Sequence, residues 1–554
     1  MRRPWLVAAA LGVGAAAIGL YLGRAYFLLP PDRIPHSHEG HSYVYRVVEF
    51  RDLLAAGYWS PQWATHFRSG LGGPYFGYYQ PGFFYLASLV PWWVDPLRAL
   101  GCVVVAAVVF GFLTTFALIR SRFGDGAGFV GATAFIAAPY PRVDVLVRGD
   151  LSEFTAMMMV PFVMHRFLDG FERGRARDLI GLAVGVAAVM CTHPAVGLFL
   201  GIALVSALVV LSVADRSVIG GARVAAALAV GGGLAGFYVL PLALEIQHVL
   251  SERAFVLRWV YAQWFIEPLD LLDAHAERPF PIALGYPLVV MAALNVAWFL
   301  WRSRAWPAEQ RQFLGFVLCV SALAVFLMSS ASAPIWEGFP LLPKVQFPAR
   351  ALAVLTPAVA CVAGAAGGGA PRWRHALLVL LALGSLAQST VAMIPGRPIS
   401  FPHVTQAADL VTAEHFRPDI ADEWMPRGAN PWVQEAPAGP SVDWGRCTVT
   451  DFRRAQGRLT MRVADNPGGC LVVLPHLFFP LGWHVTVDGA ERGATIKQWK
   501  KGFMRLGVPP GVEGAVELRF TMTPMRRAGW VVTAASATLG FLGLAWAARR
   551  RGRR

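Results

Sequence analysis

Uncharged apolar stretches recur along the chain, each about 20 residues and long enough to cross a bilayer as a helix. They lie near 5–24, 98–119, 126–141, 154–171, 178–192, 194–214, 221–243, 282–301, 312–329, 350–369, 375–394 and 528–547. A further uncharged stretch, 75–94, is interrupted by Pro81 and Pro91. Arginine placement decides its role. If 75–94 does not cross, Arg120, Arg122, Arg166, Arg173, Arg175, Arg177, Arg216, Arg223, Arg302, Arg304, Arg311, Arg372, Arg374 and the C-terminal arginines share a side with Arg2 and Arg3. If it crosses, all but the N-terminal pair change sides. Basic residues concentrate on the cytoplasmic side, so the pattern predicts twelve spans, both ends inside, and an interfacial re-entrant or juxtamembrane helix over 75–94. The first apolar run is too long for a signal h-region, and Arg24-Ala25-Tyr26 is a poor cleavage context, so it is expected to persist as the first span.

This topology places 25–97, 142–153, 244–281, 330–349 and 395–527 on one outer face. Within the first loop, Tyr43, Val47, Phe50 and Leu54 recur on one helical face, with Arg46, Glu49 and Asp52 on the other. That pattern predicts a helix lying on the membrane surface. In the fifth segment the period changes to two. Short alternating runs at 447–452, 458–463, 470–474, 483–487, 503–508 and 516–521 are separated by turn formers such as Asn466-Pro467-Gly468-Gly469 and Pro509-Pro510-Gly511. They predict a small sandwich of the jelly-roll kind. The expected organisation is a transmembrane part over 1–394 with outer loop 25–97, an outer domain over 395–527 that is β-rich at 441–525, and a final helix with basic tail over 528–554.

With 554 residues and 56% hydrophobic content, the composition excludes a soluble globular protein. The net charge of +15 is mostly arginine, clustered between spans, which suits topology control rather than a nucleic-acid partner. Cys102, Cys191, Cys319 and Cys361 sit in apolar runs. Cys447 and Cys470 lie in the polar outer segment on separate predicted strands, a candidate disulfide.

Titratable groups held at a membrane face point to function. His36-Ser37-His38-Glu39-Gly40-His41 and Arg148-Gly149-Asp150-Leu151-Ser152-Glu153 face each other across the same water layer. Glu39 is a candidate base or a helix cap. His36, His38, Glu39 and His41 offer ligands for a divalent metal, although their spacing departs from established zinc motifs; hydrogen bonding to substrate is the other reading of His38 and His41. Asp150 or Ser152 can cap the following helix, and Glu153 complements its positive end. Arg148 and Arg350 present donor forks that match phosphate oxygens. His193-Pro194 reads as a kink, while Arg142, Asp144, Glu245 and Glu267 are outer-face groups without a rank.

Four stretches carry a resemblance: Gly57-Tyr58-Trp59-Ser60-Pro61-Gln62-Trp63, the run from Gly72 through Pro74, Phe76, Tyr78 and Tyr79 to Pro81, the Arg148–Glu153 segment, and Gln346-Phe347-Pro348-Ala349-Arg350. Together with Pro480-Leu481-Gly482-Trp483 onward to Gly489, they resemble a bacterial integral membrane family called 6-pyruvoyl-tetrahydropterin synthase-related. Its layout is similar to the GT-C glycosyltransferases. Ala349 stands where that family usually has tryptophan, and one glutamate, Glu39, where many relatives have aspartate or two acids. The resemblance implies a polytopic helical protein of the bacterial inner membrane with an extracytoplasmic β domain. It implies transfer of sugar from a polyprenyl-phosphate-linked donor to a lipid, glycan or protein acceptor at the outer face. Glu39 would be the base with Asp150 and Glu153 supporting; Arg148, Arg350, Gln346, Tyr78, Tyr79, His38 and His41 would line the substrate. A catalytically inactive glycan or lipid binder is the alternative. A transporter or flippase is the weaker rival, because the spans carry almost no acid at mid-depth.

Overall fold

The computed structural model describes residues 4–252, 260–272, 282–302, 306–365 and 437–551, together with 380, 384, 396–400, 403, 405–406, 409–412, 424–431 and 433. The expected span at 375–394 lies outside these residues apart from two positions. Helices stand at the other span positions. Among the described residues, three helices are long and apolar enough to cross a membrane: Pro96–Phe123, Pro194–Ala214 and Ala308–Met328. A fourth is added if Val218–Leu234 and Gly236–Leu244, bent by 70° at their junction, count as one. Asp125–Ala137 and Leu352–Gly364 have only 13 residues each, about 20 Å at 1.5 Å per residue, so the described residues do not confirm the count of twelve spans. Proline stops the first of these: its C-cap Ala138 precedes Pro139 and stands in an extended conformation.

Residues 75–94 form two short helices, Tyr75–Tyr78 and Gly82–Leu89, the longer only 8 residues, far too short to cross. They pack on the helix Gly40–Ala55 through Phe50–Phe76 and Phe50–Phe84 ring contacts at 5.1 and 5.7 Å. That helix does not lie half in water as its periodicity predicts. Its polar face is buried as well: Arg46 under tyrosines, Glu49 by His66 at 2.9 Å, and Arg51 by the carbonyl of Ala87 at 2.7 Å. Partners distant in sequence cover what local pattern assigns to solvent.

Strand β1 (Arg33–His36) pairs antiparallel with β2 (Gly396–Ser400). Eight further strands form two four-stranded antiparallel sheets. One has the order β4 (Thr448–Ala455), β5 (Arg458–Ala464), β10 (Gly514–Phe520), β7 (Trp483–Val487); the other is β3 (Ser441–Gly445), β6 (Cys470–Leu477), β9 (Phe503–Val508), β8 (Thr495–Gln498). Alternate residues such as Leu459, Met461, Val472, Leu506 and Leu518 fill the space between the sheets. Cys447 and Cys470 are joined by a disulfide, Cα–Cα 6.1 Å, between the β4 end of one sheet and β6 of the other. The sandwich rests on the first loop, where Gln456 donates to Asp52 at 2.7 Å and the Leu477 amide to the Leu71 carbonyl at 2.8 Å. Strand β10 leads into the last helix, Pro524–Arg551. Its buried Arg526 donates to the carbonyls of Phe76 (3.0 Å) and Phe237 (2.9 Å), tying the first loop to the kinked pair.

Candidate active site

The site starts from a turn. Val143–Arg148 winds as a π-helix, Gly149 takes a left-handed φ of +67°, and Asp150 caps the helix Leu151–Arg173 by accepting from the Glu153 amide at 3.0 Å. A glycine is required at 149, because a Cβ there would stand 2.4 Å from the Gly40 amide nitrogen. The close approach lets the first loop bond along this turn. The His38 amide donates to the Val147 carbonyl at 3.0 Å and the Glu39 amide to the Arg148 carbonyl at 2.8 Å.

A polar cluster forms behind that seam. Arg148 reaches Asp144 at 2.6 Å, Glu153 at 2.8 Å, Tyr140 at 3.0 Å and Asp150 at 3.4 Å. Tyr140 also donates a short hydrogen bond to Glu153. Arg350 donates through Nε to Glu153 at 3.1 Å and through Nη1 to the Val345 carbonyl at 2.8 Å, with Nη2 3.8 Å from Asp150. Tyr43 donates to Asp150 at 3.1 Å, and Arg46 to Tyr79 at 2.7 Å. Four carboxylates thus meet three guanidiniums. Asp144, Asp150 and Glu153 are buried, whereas the Glu39 side chain keeps 45% of its surface exposed with Arg46 3.6 Å away. Desolvation by the surrounding protein, then the charge of Asp150, raise the Glu39 carboxyl above its ordinary value over the opposing pull of Arg46, Arg350 and Arg148.

The predicted residues divide accordingly. Glu39, Arg148, Asp150, Glu153, Arg350 and Tyr79 come together. Tyr78 does not: it is buried beside Trp424 and donates to the Glu245 carbonyl at 3.2 Å. His38 joins the seam through its backbone, with its ring exposed; His36 is likewise exposed and His41 half-buried. Gln346 stands at a positive φ of 69° just before the Pro348–Ala351 turn that carries Arg350. Tyr43, Arg46, Tyr140, Asp144 and His193 belong to the cluster without having been assigned to it. Tyr43 and Arg46 follow Glu39 at four and seven residues, one helical face, so a signal existed. His193, expected as a kink residue, has no local signal; the fold brings its Nε2 to 3.7 Å from Asp150 and 3.8 Å from Glu153.

Among the described residues, Asp150, Glu153 and His193 bring ligand atoms within 4.8 Å of one another, the spacing a metal ion needs. The loop histidines do not converge with Glu39 in this way. The bonding of the buried trio works against a metal. His193 Nδ1 accepts from the Val196 amide at 3.3 Å, which leaves the proton of the neutral ring on Nε2, facing the carboxylates. Offering Nε2 to an ion would put the proton on Nδ1, against an amide N–H. Glu153 Oε2 is already taken by two arginines. The trio could hold an ion only by exchanging these bonds for coordination.

No protein-family model matches the chain, and no curated protein matches it, so the membership suggested by the motifs stays a resemblance. Among solved structures, the arabinofuranosyltransferase AftD from Mycobacteria superposes with a TM-score of 0.41 at 16% identity, covering 71% of this chain and 27% of that one. A mutant of the same enzyme gives 0.41 at 19% identity, covering 71% and 28%. The oligosaccharyltransferase of Archaeoglobus fulgidus in its apo form gives 0.45 at 12% identity, covering 74% and 56%. The chain therefore spans between about a quarter and just over half the length of these proteins.

Proposed function

We propose that the chain is a GT-C-type membrane glycosyltransferase that takes sugar from a polyprenyl-phosphate donor to a hydroxyl acceptor at the outer membrane face. The observation that carries this reading is Glu39: one half-exposed carboxylate 3.6 Å from Arg46, backed by buried acids whose arginines are pinned in place. Asp150 and Glu153 then act through Arg148 and Arg350 rather than on substrate. Arg350 is the guanidinium for the donor phosphate, since its Nη2 stands 3.8 Å from the nearest carboxylate. Glu39 takes the acceptor proton as the acceptor oxygen bonds the anomeric carbon. The bond from that carbon to the phosphate oxygen breaks, and polyprenyl phosphate leaves with the electron pair.

The test is Glu39→Gln in a purified chain supplied with a polyprenyl-phosphate sugar and a hydroxyl acceptor. General bases contribute about 10²–10⁴-fold, so release of polyprenyl phosphate should fall by that factor while donor binding persists. Near-native turnover in Glu39→Gln would remove Glu39 as base. A wild-type chain that binds donor but never releases polyprenyl phosphate would favour the inactive binder.

A further inference from the structure

The outward face of the β4-β5-β10-β7 sheet is a ladder of arginines. Strand register sets Arg453, Thr460, Glu517 and Thr486 in one row, Ala455, Arg458, Arg519 and His484 in the next, and Thr450, Arg462 and Ala515 in a third. The four arginines and His484 are exposed, whereas Leu459, Met461, Val463, Val516 and Leu518 between them face the core. Arg458 is paired with Glu517 at 2.7 Å. Arg453, Arg462 and Arg519 have no hydrogen-bond or ion-pair partner among the described residues. The rim acids are engaged elsewhere: Asp488 accepts from the Ala515 amide and pairs with Arg492, and Asp451 accepts from Thr450.

Such a face does nothing for the sheet itself. Arg519 stands directly opposite Arg458, and like charges in that position destabilise a pair. At the foot of the ladder lies a cavity of about 180 Å³ lined by Tyr58, Trp59, Gln62, Trp63, Arg519 and Phe520. Arg519 belongs to both. Aromatic faces beside an amide and a guanidinium offer stacking and hydrogen bonding together, the combination that a sugar ring uses.

Orientation selects the ligand. Strand β10 runs toward the helix Pro524–Arg551, so Arg519 is at the membrane end and the Arg462–Ala515 row stands four residues farther out, about 14 Å at 3.4 Å per residue. A layer of lipid headgroups meets only the foot of such a ladder. We propose that this face binds an anionic polysaccharide, its carboxylates or phosphates along Arg453, Arg462 and Arg519 and one sugar ring in the aromatic cavity. This binding stands independently of the transferase reading.

The test uses the purified full chain in zwitterionic nanodiscs, with oligogalacturonate as the anionic probe and a neutral malto-oligosaccharide of equal length. Oligogalacturonate should bind, the neutral chain should bind far more weakly, and affinity should fall as salt rises. Replacing Arg453, Arg462 and Arg519 together by Gln should weaken binding roughly tenfold, three exposed ion pairs each giving about twofold. Replacing Lys497, Lys500 and Lys501 by Gln, on and beside the other sheet, should leave it unchanged. Unaltered binding by the arginine variant overturns the proposal. So does salt-independent or equal neutral binding by the wild type, a readout that needs no variant to fold. Association with anionic vesicles but not with oligogalacturonate would assign the face to lipid and overturn it too.

Discussion

Gly149→Ala should separate the two halves of the site. The new Cβ would lie 2.4 Å from the Gly40 amide nitrogen and 2.6 Å from Ser37 Oγ. The serine hydroxyl can rotate away; the backbone nitrogen cannot. Restoring ordinary contact near 3.4 Å requires the loop to retreat by about 1 Å. The amide bonds His38 to Val147 and Glu39 to Arg148, now 3.0 and 2.8 Å, would then exceed hydrogen-bonding range. Each is worth about 0.5–1.5 kcal/mol net, and an alanine held in the left-handed region costs about 1–2 kcal/mol more. The variant should therefore lose about 2–5 kcal/mol locally, and Glu39 should lose its register on Arg148. Hydrogen exchange over residues 36–41 reads the first effect and sugar transfer the second. Gly40→Ala is the control. Its Cβ meets chiefly Ser37 Oγ at 2.3 Å, so adding Ser37→Ala should relieve the clash. If Gly149→Ala leaves both amide protection and transfer at wild-type levels, the seam does not position Glu39.

Tyr79→Phe should cut transfer about tenfold by removing a buried bond to Arg46, whereas Tyr78→Phe should cost only about 1 kcal/mol of stability; equal effects on turnover would dissolve the distinction. Titration with Mn²⁺ followed by electron paramagnetic resonance should reveal no site that disappears in His193→Gln, and a site lost in that variant would show the ring delivering Nε2 to an ion. His66 is held above its usual value: burial lowers it, but the bond and charge of Glu49, then Asp52, outweigh burial. Its contribution is therefore complete below the unfolded value near 6.5 and lost as pH rises through the higher folded value, so the thermal midpoint should fall over that window and flatten in His66→Phe. Replacing Cys447 and Cys470 by Ser opens a link across 23 residues, worth about 3 kcal/mol on the chain-entropy account, and should raise hydrogen exchange in β4 and β6; unchanged protection would make the bridge dispensable.

What could be read from the chain was whatever is local or set by the bilayer. Apolar length located the helices, and arginine placement argued against a crossing at 75–94, where two short helices stand. Glu39 and Arg148 were brought to one face by counting crossings. Strands β3 and β8 escaped because they carry no alternation: every residue of Ser441–Gly445 is exposed, and all of Thr495–Gln498 but Ile496. The polar face of Gly40–Ala55 misled for the opposite reason. Its partners, His66 and Gln456, lie 17 and 404 residues from the acids they meet. Tyr78 and Tyr79 are identical neighbours, and only the short helix that ends between them sends one to Arg46 and the other to Glu245. His193 entered the cluster through a helix junction that no spacing rule encodes.

Arg526 also sets an order of assembly. Phe76 and Phe237, whose carbonyls it binds, leave the ribosome hundreds of residues before it does, and Phe76 lies three residues ahead of the tyrosine that touches Arg46 and Glu39. Until the last helix inserts, those carbonyls lack the donor that the finished fold gives them, and the short helices beside Glu39 lack their clamp. The short helices beside Glu39 therefore gain this clamp only once Pro524–Arg551 has joined the fold, however early their own residues are made.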